Sequence, residues 1–182
     1  IVAEQANWSD YGFEYFEKAD IDRMFGFGLQ QAILSFNKAE IIKNADIILG
    51  KTPEGKEQIV FIENHDMDRF ASMESNVQRQ KLAASLMFFM GGVPLIYTGQ
   101  EVGRSTTTPF FTNSPINWTI NQDMLEAYKD MLAFHNESAA ARKGSISNYA
   151  VSTNVLCVKK TLGTENVVII VNVRNSNQTI TI

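Results

Sequence analysis

The chain has 182 residues, 45% of them hydrophobic and 20% charged, enough for one sizeable globular domain or one domain with a small appendage. Its net charge of −4, with no cluster of Lys and Arg, excludes the basic footprint of a nucleic-acid binder, and no stretch of about 18 apolar residues is present to span a membrane. Two histidines and one cysteine exclude an internal disulfide and leave too few ligands for a zinc site built on several His or Cys.

In chain order, Ile1-Val2-Ala3 reads as the tail of a buried strand ending in a carboxylate, Glu4. The chain opens on Ile inside an apolar run, so its start is expected upstream and no targeting segment or localisation is read from it. Asn7 to Tyr15 reads as a loop, with a short extended piece at Phe13 to Phe16. From about Asp22, Phe25, Leu29, Ile33 and Phe36 recur at helical spacing and Ile41, Ile42, Ile47, Ile48 and Leu49 continue an apolar face, which predicts one or two helices interrupted near Asn37. Thr52-Pro53-Glu54-Gly55 is a turn.

Ile59-Val60-Phe61-Ile62 then fits a strand covered on both faces, as in a parallel sheet, and it ends in Glu63-Asn64-His65-Asp66. Parallel strands carry their chemistry at their C-terminal ends. From the stretch alone two readings stand side by side: a polar turn with a helix N-cap, or a functional site. Asn76 to Met90 predicts a helix closed by Gly91-Gly92, and Val93 to Tyr97 the next strand, parallel to the first across a helical crossover. Thr98 to Gly103 again places polar groups at a strand end, and Ser105 to Asn121 reads as a long loop of the kind that is usually functional. A helix follows from about Asp123 through Leu125, Tyr128, Met131, Leu132 and His135, with His135 read as surface or boundary structure. After Ala139 to Gly144 the pattern becomes that of an antiparallel β meander: Tyr149 to Lys160, Val167 to Val173, a turn at Asn175-Ser176-Asn177 and a strand from Thr179. Cys157 lies in this strand-like run and reads as a buried thiol.

Phe61-Ile62-Glu63-Asn64-His65-Asp66 with Arg69, then Gly92-Val93-Pro94-Leu95-Ile96-Tyr97-Thr98-Gly99-Gln100-Glu101, together with Ala3-Glu4, resemble the α-amylase family of glycoside hydrolases. The first two match that family's motifs on the seventh and eighth strands of its barrel. The resemblance implies an α/β fold, the second half of a (β/α)8 TIM barrel over residues 1–142 followed by a partial antiparallel β domain over 143–182. It implies Glu4 as general acid/base and Asp66 as the carboxylate that holds the substrate and stabilises the transition state. His65 and Asn64 are implied as substrate-binding residues, and Arg69 as a further one that supports the site electrostatically. An acid must protonate the glycosidic oxygen, and anionic groups favour a developing oxocarbenium ion.

A retaining mechanism also needs a carboxylate nucleophile, which the family carries in a Gly-x-Arg-x-Asp motif on the fourth strand; that motif does not occur here. The expectation is therefore a piece of a retaining enzyme that cleaves α-1,4-glucosidic bonds, inactive by itself. The alternatives are an α-glucan transglycosylase or isomerase of the same family, or a non-catalytic carbohydrate-binding or structural subunit. No cofactor or metal is expected in this chain, and the family's calcium site would belong upstream. The expected partners are an α-glucan or oligosaccharide and the N-terminal half barrel, and exposed strand edges predict self-association. Glu101 has two readings, substrate contact or hydrogen-bonded structural carboxylate. Trp8, Trp118 and Phe110 likewise read either as sugar-stacking rings or as local core. Asn7, Asn117, Asn136 and Asn177 begin Asn-x-Ser/Thr triplets, which serve as glycosylation sites only in a secretory host.

Overall fold

The computed structural model describes residues 1–5 and 11–181. In its first part, strands β1 (Val2–Ala3), β2 (Arg23–Phe25), β3 (Glu57–Val60) and β4 (Val93–Pro94) form one parallel sheet in the order β1-β2-β3-β4. Helix α1 (Phe13–Lys18) separates β1 from β2, α2 (Phe27–Ser35) and α3 (Lys38–Lys51) lie between β2 and β3, and α4 (Phe70–Met73) and α5 (Val77–Phe89) between β3 and β4. After β4 come the long loop, α6 (Gln122–Glu137) and α7 (Ala139–Lys143), then an antiparallel sheet of β5 (Ser145–Asn148), β6 (Val155–Leu162) and β7 (Glu165–Asn172). Among the described residues no helix is long and apolar enough to cross a membrane.

Alternation along the parallel strands divides the apolar residues between two faces. Val60 and Ile62 join the main core with Leu29, Ile33, Ile41, Ile48, Leu86 and Met87 of the helices. Ile59 and Phe61 turn the other way and pack with Phe27, Phe25 and Leu95, the Phe61 ring meeting Phe25 and Phe27 edge-on at 5.3 and 5.1 Å. The helices start where an Asn accepts from the first free N–H groups: Asn37 from Ala39 and Glu40, Asn76 from Gln78 and Arg79, Asn121 from Met124. Helix α3 then buries one stripe, Ile41, Ala45 and Ile48, and α6 another, Met124, Tyr128 and His135, whereas α5 is buried more broadly, through Leu86, Met87 and Phe88 together.

Several expectations are corrected. Phe13 to Phe16 is helical, because Gly12 at φ 64 turns the chain into α1, which buries Phe16. Arg23–Phe25 is a strand and does not begin a helix; the apolar residues of this three-residue strand run in phase with those of α2, and Gly26 hides the boundary. Strands β3 and β4 end earlier than their apolar runs, at Val60 and Pro94, although Phe61 and Ile62 stay buried. The stretch Tyr149 to Lys160 is not one strand: residues 149–154 connect β5 to β6, and no strand forms over 179–181. His135 is not at the surface. It is 7% exposed, edge-on to Phe88 at 5.9 Å, and burial lowers its pKa, with Arg142 and Lys160 adding to the effect.

Cys157 is buried in the middle strand β6, and so is a charged residue, Lys160. Its Nζ donates to the carbonyls of Phe89 (3.0 Å), Ala141 and Arg142 (3.5 Å), the free carbonyl ends of α5 and α7. Burial lowers its pKa to about 8. Because the unfolded chain keeps this lysine protonated up to about 10.4, it binds more protons than the folded chain above pH 8, and stability rises with pH there. Above pH 10 the trend reverses, since burial pushes Tyr11 up to about 12 and raises Tyr128 as well. We expect thermal melts to show increasing Tm from pH 8 to pH 10, with the slope largely removed in Lys160→Met; an equal slope in the variant would refute this assignment.

Candidate active site

The turn after β3 is built from below. Glu63 and Arg69 are each 1% exposed and form an ion pair at 2.7 Å, while the Phe70 N–H donates to the second Glu63 oxygen at 2.5 Å. Burial raises the Glu63 pKa, and Arg69 and the Phe70 N–H pull it back down. Arg69 also donates to Thr98 O (2.9 Å) and Thr108 Oγ1 (2.8 Å) and lies 4.0 Å over the Tyr97 ring. One guanidinium thus joins the exit of β3, the exit of β4 and the loop beyond it.

Asn64 is buried above this pair, and its Oδ1 accepts from the Asp66 N–H at 3.0 Å. That local bond folds the chain outward, leaving His65 53% and Asp66 56% exposed with Nε2 and Oδ2 3.4 Å apart. Of the residues expected here, His65 and Asp66 therefore present their side chains to solvent. Asn64 and Arg69 sit beneath them, and Arg69 reaches only protein groups. Asn64 Nδ2 and Arg69 Nε have no hydrogen-bond partner among the described residues.

Glu4 follows β1 directly and is exposed. Ala3 pairs with Met24 and Met24 with Gln58, so the register sets Glu4 level with Phe25 and Ile59, two strands from β3. Two interstrand spacings amount to about 10 Å. Both carboxylates thus follow parallel strands at the same C-terminal edge of the sheet, where such sheets hold ligands.

Glu101 Oε2 accepts from the Gly99 N–H at 2.8 Å, a structural role in a tight turn. Phe110 and Trp118 are exposed and form no part of the core. Asn7 and Trp8 lie outside the described residues. Sequence reasoning missed two supports. Glu63 ends an apolar run and gave no sign of its pairing, and Arg104, buried, donates to Thr106 O (2.9 Å), Ser114 O (3.2 Å) and Ser114 Oγ (2.5 Å) to tie the loop after β4. Among the described residues no three His, Cys, Asp or Glu side chains gather as metal ligands would. A cavity of about 990 Å³ is lined by Asn37, Lys38 and Arg174 among others and by none of the strand-end residues.

The model of the α-amylase catalytic domain matches residues 4–151. The chain belongs to the α-amylase family. Its curated relatives include neopullulanase 2 of Thermoactinomyces vulgaris, 26% identical over 65% of this chain and 21% of the relative. A cyclomaltodextrin glucanotransferase of Niallia circulans is 32% identical over 66% of this chain and 17% of the relative. Among solved structures, the chain superposes on an α-amylase of Geobacillus thermoleovorans with a TM-score of 0.82 at 18% identity, covering 94% of this chain and 41% of that one. A cyclic α-maltosyl-(1→6)-maltose hydrolase of Arthrobacter globiformis gives 0.80 at 22% identity, with the same coverage. This α-amylase family chain therefore has the expected fold, part of a (β/α)8 barrel followed by part of an antiparallel β domain. It spans about a fifth of the length of these curated relatives and about two-fifths of the solved structures.

Proposed function

We propose that the protein containing this chain is a retaining glycosidase acting on α-1,4-linked glucose polymers or maltooligosaccharides. In this reading Glu4 is the general acid/base and Asp66 the anion that stabilises the oxocarbenium-like transition state, with His65 as its substrate-binding neighbour. Asn64 and Arg69 hold that pair in place. The observation that carries the reading is the His65-Asp66 turn, held open to solvent by buried Asn64 and the Glu63–Arg69 pair, at the sheet edge where Glu4 also emerges. The same reading divides the chain into barrel residues 1–142 and β-domain residues 143–182. It assigns the open edges β1 and β4 to contact with the strands of the N-terminal half barrel, one of which bears the nucleophile.

Since the chain has no Gly-x-Arg-x-Asp segment, the 182 residues alone are expected to hydrolyse an aryl α-maltoside only at background rate. Turnover comparable to that of a complete amylase would sink the assigned mechanism. A second reading, glucosyl transfer to a sugar in place of water, is favoured by relatives named cyclomaltodextrin glucanotransferase and, over a short segment 47% identical, 4-alpha-glucanotransferase of Thermotoga neapolitana. Product analysis on the complete enzyme separates the two, longer oligosaccharides pointing to transfer.

A further inference from the structure

We propose that His135 is a proton-operated latch between the barrel helices and the antiparallel sheet: neutral, it lets α7 and β6 dock against α6, and protonated in mildly acidic solution it loosens them. The inference stands apart from the glycosidase reading and rests on groups already closed off from solvent. Such groups stay closed off whatever further chain packs around them.

The imidazole is 7% exposed, and among the described residues neither Nδ1 nor Nε2 has a hydrogen-bond partner. The side chain of neighbouring Asn136 is near enough to favour a proton on the ring but makes no well-formed hydrogen bond with it. From α7, Arg142 donates Nη1 to the carbonyls of His135 (2.8 Å) and Asn136. From β6, Lys160 donates to the carbonyls of Phe89, Ala141 and Arg142. Helix α5 offers only the Phe88 ring, edge-on at 5.9 Å. Strand β7 brings a carboxylate, Glu165, but it is committed to Ser138 Oγ (2.5 Å) and the Ala140 N–H (3.1 Å) at the start of α7. On α6 itself Glu137 is exposed. His135 also lines a cavity of about 420 Å³ together with Glu54, Lys56, Glu57 and Lys143. There Glu57 is paired with Arg23 and Lys56 with Asp20 and Asp22, while Glu54 and Lys143 are exposed.

A proton on the ring therefore brings a third positive charge to a junction that already holds Arg142 and Lys160, and adds an N–H with no acceptor. Helix α7 is where the repulsion can be relieved. It has five residues and is tied by Arg142 to the last carbonyls of α6, by Lys160 to β6 and by Glu165 to β7. Two of these three ties are made by the cations that the protonated ring repels.

Burial holds the ring below its ordinary pKa of 6.5, with Arg142 and Lys160 adding to the effect and Asn136 opposing it. Once the junction opens, the ring regains the ordinary value. The open form thus binds more protons than the closed one below pH 6.5, and opening grows easier as pH falls through the lowered value. Glu165, held below the usual carboxylate range by Ser138 and the Ala140 N–H, keeps its charge across this window.

Cys157, fully buried in β6, reports the opening. Its labelling by dithiodipyridine, which reacts with thiols in acid as well as at neutral pH, is followed from pH 7.5 to pH 5.5 and divided by the rate on the urea-unfolded chain at each pH. The expected result is a several-fold rise in the wild type, with about 10-fold as the ceiling for one proton at pH 5.5, and a level rate in His135→Gln and His135→Phe. Circular dichroism at each pH follows the helices. A level rate in the wild type, or an equal rise in the wild type and both variants, overturns the latch. Labelling that increases only together with loss of the helical signal assigns the proton to global unfolding and overturns it too. The chain has two histidines, so the imidazole NMR signal that survives in His65→Gln belongs to His135. Its titration at or above pH 6.5 in the folded protein overturns the proposal even where the His135 variants fail to fold.

Discussion

Arg69→Met is expected to lower the free energy of unfolding by about 3–5 kcal/mol, a large part of the stability of a domain this size. The cost does not come from losing a favourable ion pair as such. Glu63 is as buried as Arg69, and without the guanidinium its carboxylate keeps only the Phe70 N–H at 2.5 Å and must either remain charged in the interior or take up a proton. Thr98 O and Thr108 Oγ1 lose their donor at the same time, which loosens the loop after β4. Glu63→Gln should also destabilise: the amide can still accept from the Phe70 N–H, but Arg69, which cannot shed its charge, is left without its counter-ion. The double variant Glu63→Leu/Arg69→Met should recover much of the loss, since an uncharged pair leaves no uncompensated charge. Urea denaturation at neutral pH measures all of these. A single-variant effect below about 1 kcal/mol would mean that water reaches the pair and that it behaves as a surface salt bridge.

In the complete enzyme, Glu4→Gln should reduce turnover by about 10²-fold or more, as loss of a general acid does. Glu4 is exposed just beyond a two-residue edge strand, so the change should leave stability nearly unaltered. That combination separates a catalytic carboxylate from a structural one: Glu63 variants should move the unfolding midpoint, and Glu4 variants only the rate. A substrate whose leaving group needs no protonation, such as an aryl glycoside with an acidic phenol, should recover much of the lost rate in Glu4→Gln. If poor and good leaving groups suffer equally, Glu4 is not the acid.

The exposed turn after β3 was legible as a strand end, because a short run of buried β-branched residues is followed directly by the polar Asn64-His65-Asp66. The stretch alone fits a capped turn as well as a site, and it is the family motifs that favour the site. What remained hidden is instructive. The strand Arg23–Phe25 escaped because three residues are too few to show a period of two, and the helical spacing of Leu29 and Ile33 absorbed its phenylalanine. His135 looked peripheral because the polar residues of α6 surround it in sequence, although Met124 and Tyr128 mark the same buried stripe. Lys160 gave no sign of burial, because a lysine is buried only where unpaired carbonyls await it, and those belong to two helices far away in the chain.

The sequence by itself determined the family motifs, the helices over Asn76 to Met90 and from about Asp123, the buried thiol of Cys157 in a strand-like run and the identity of the polar residues at the strand ends. These depend on neighbours within a few positions, through hydrogen-bond caps and periodic burial. Only the tertiary structure decided how the polar residues divide the work: His65 and Asp66 in solvent, Asn64, Glu63 and Arg69 beneath them, and Phe110 beside them on a loop pinned by two buried arginines. That division depends on which groups lose their water when strands, helices and loops pack together, and burial of that kind is a property of the assembled fold.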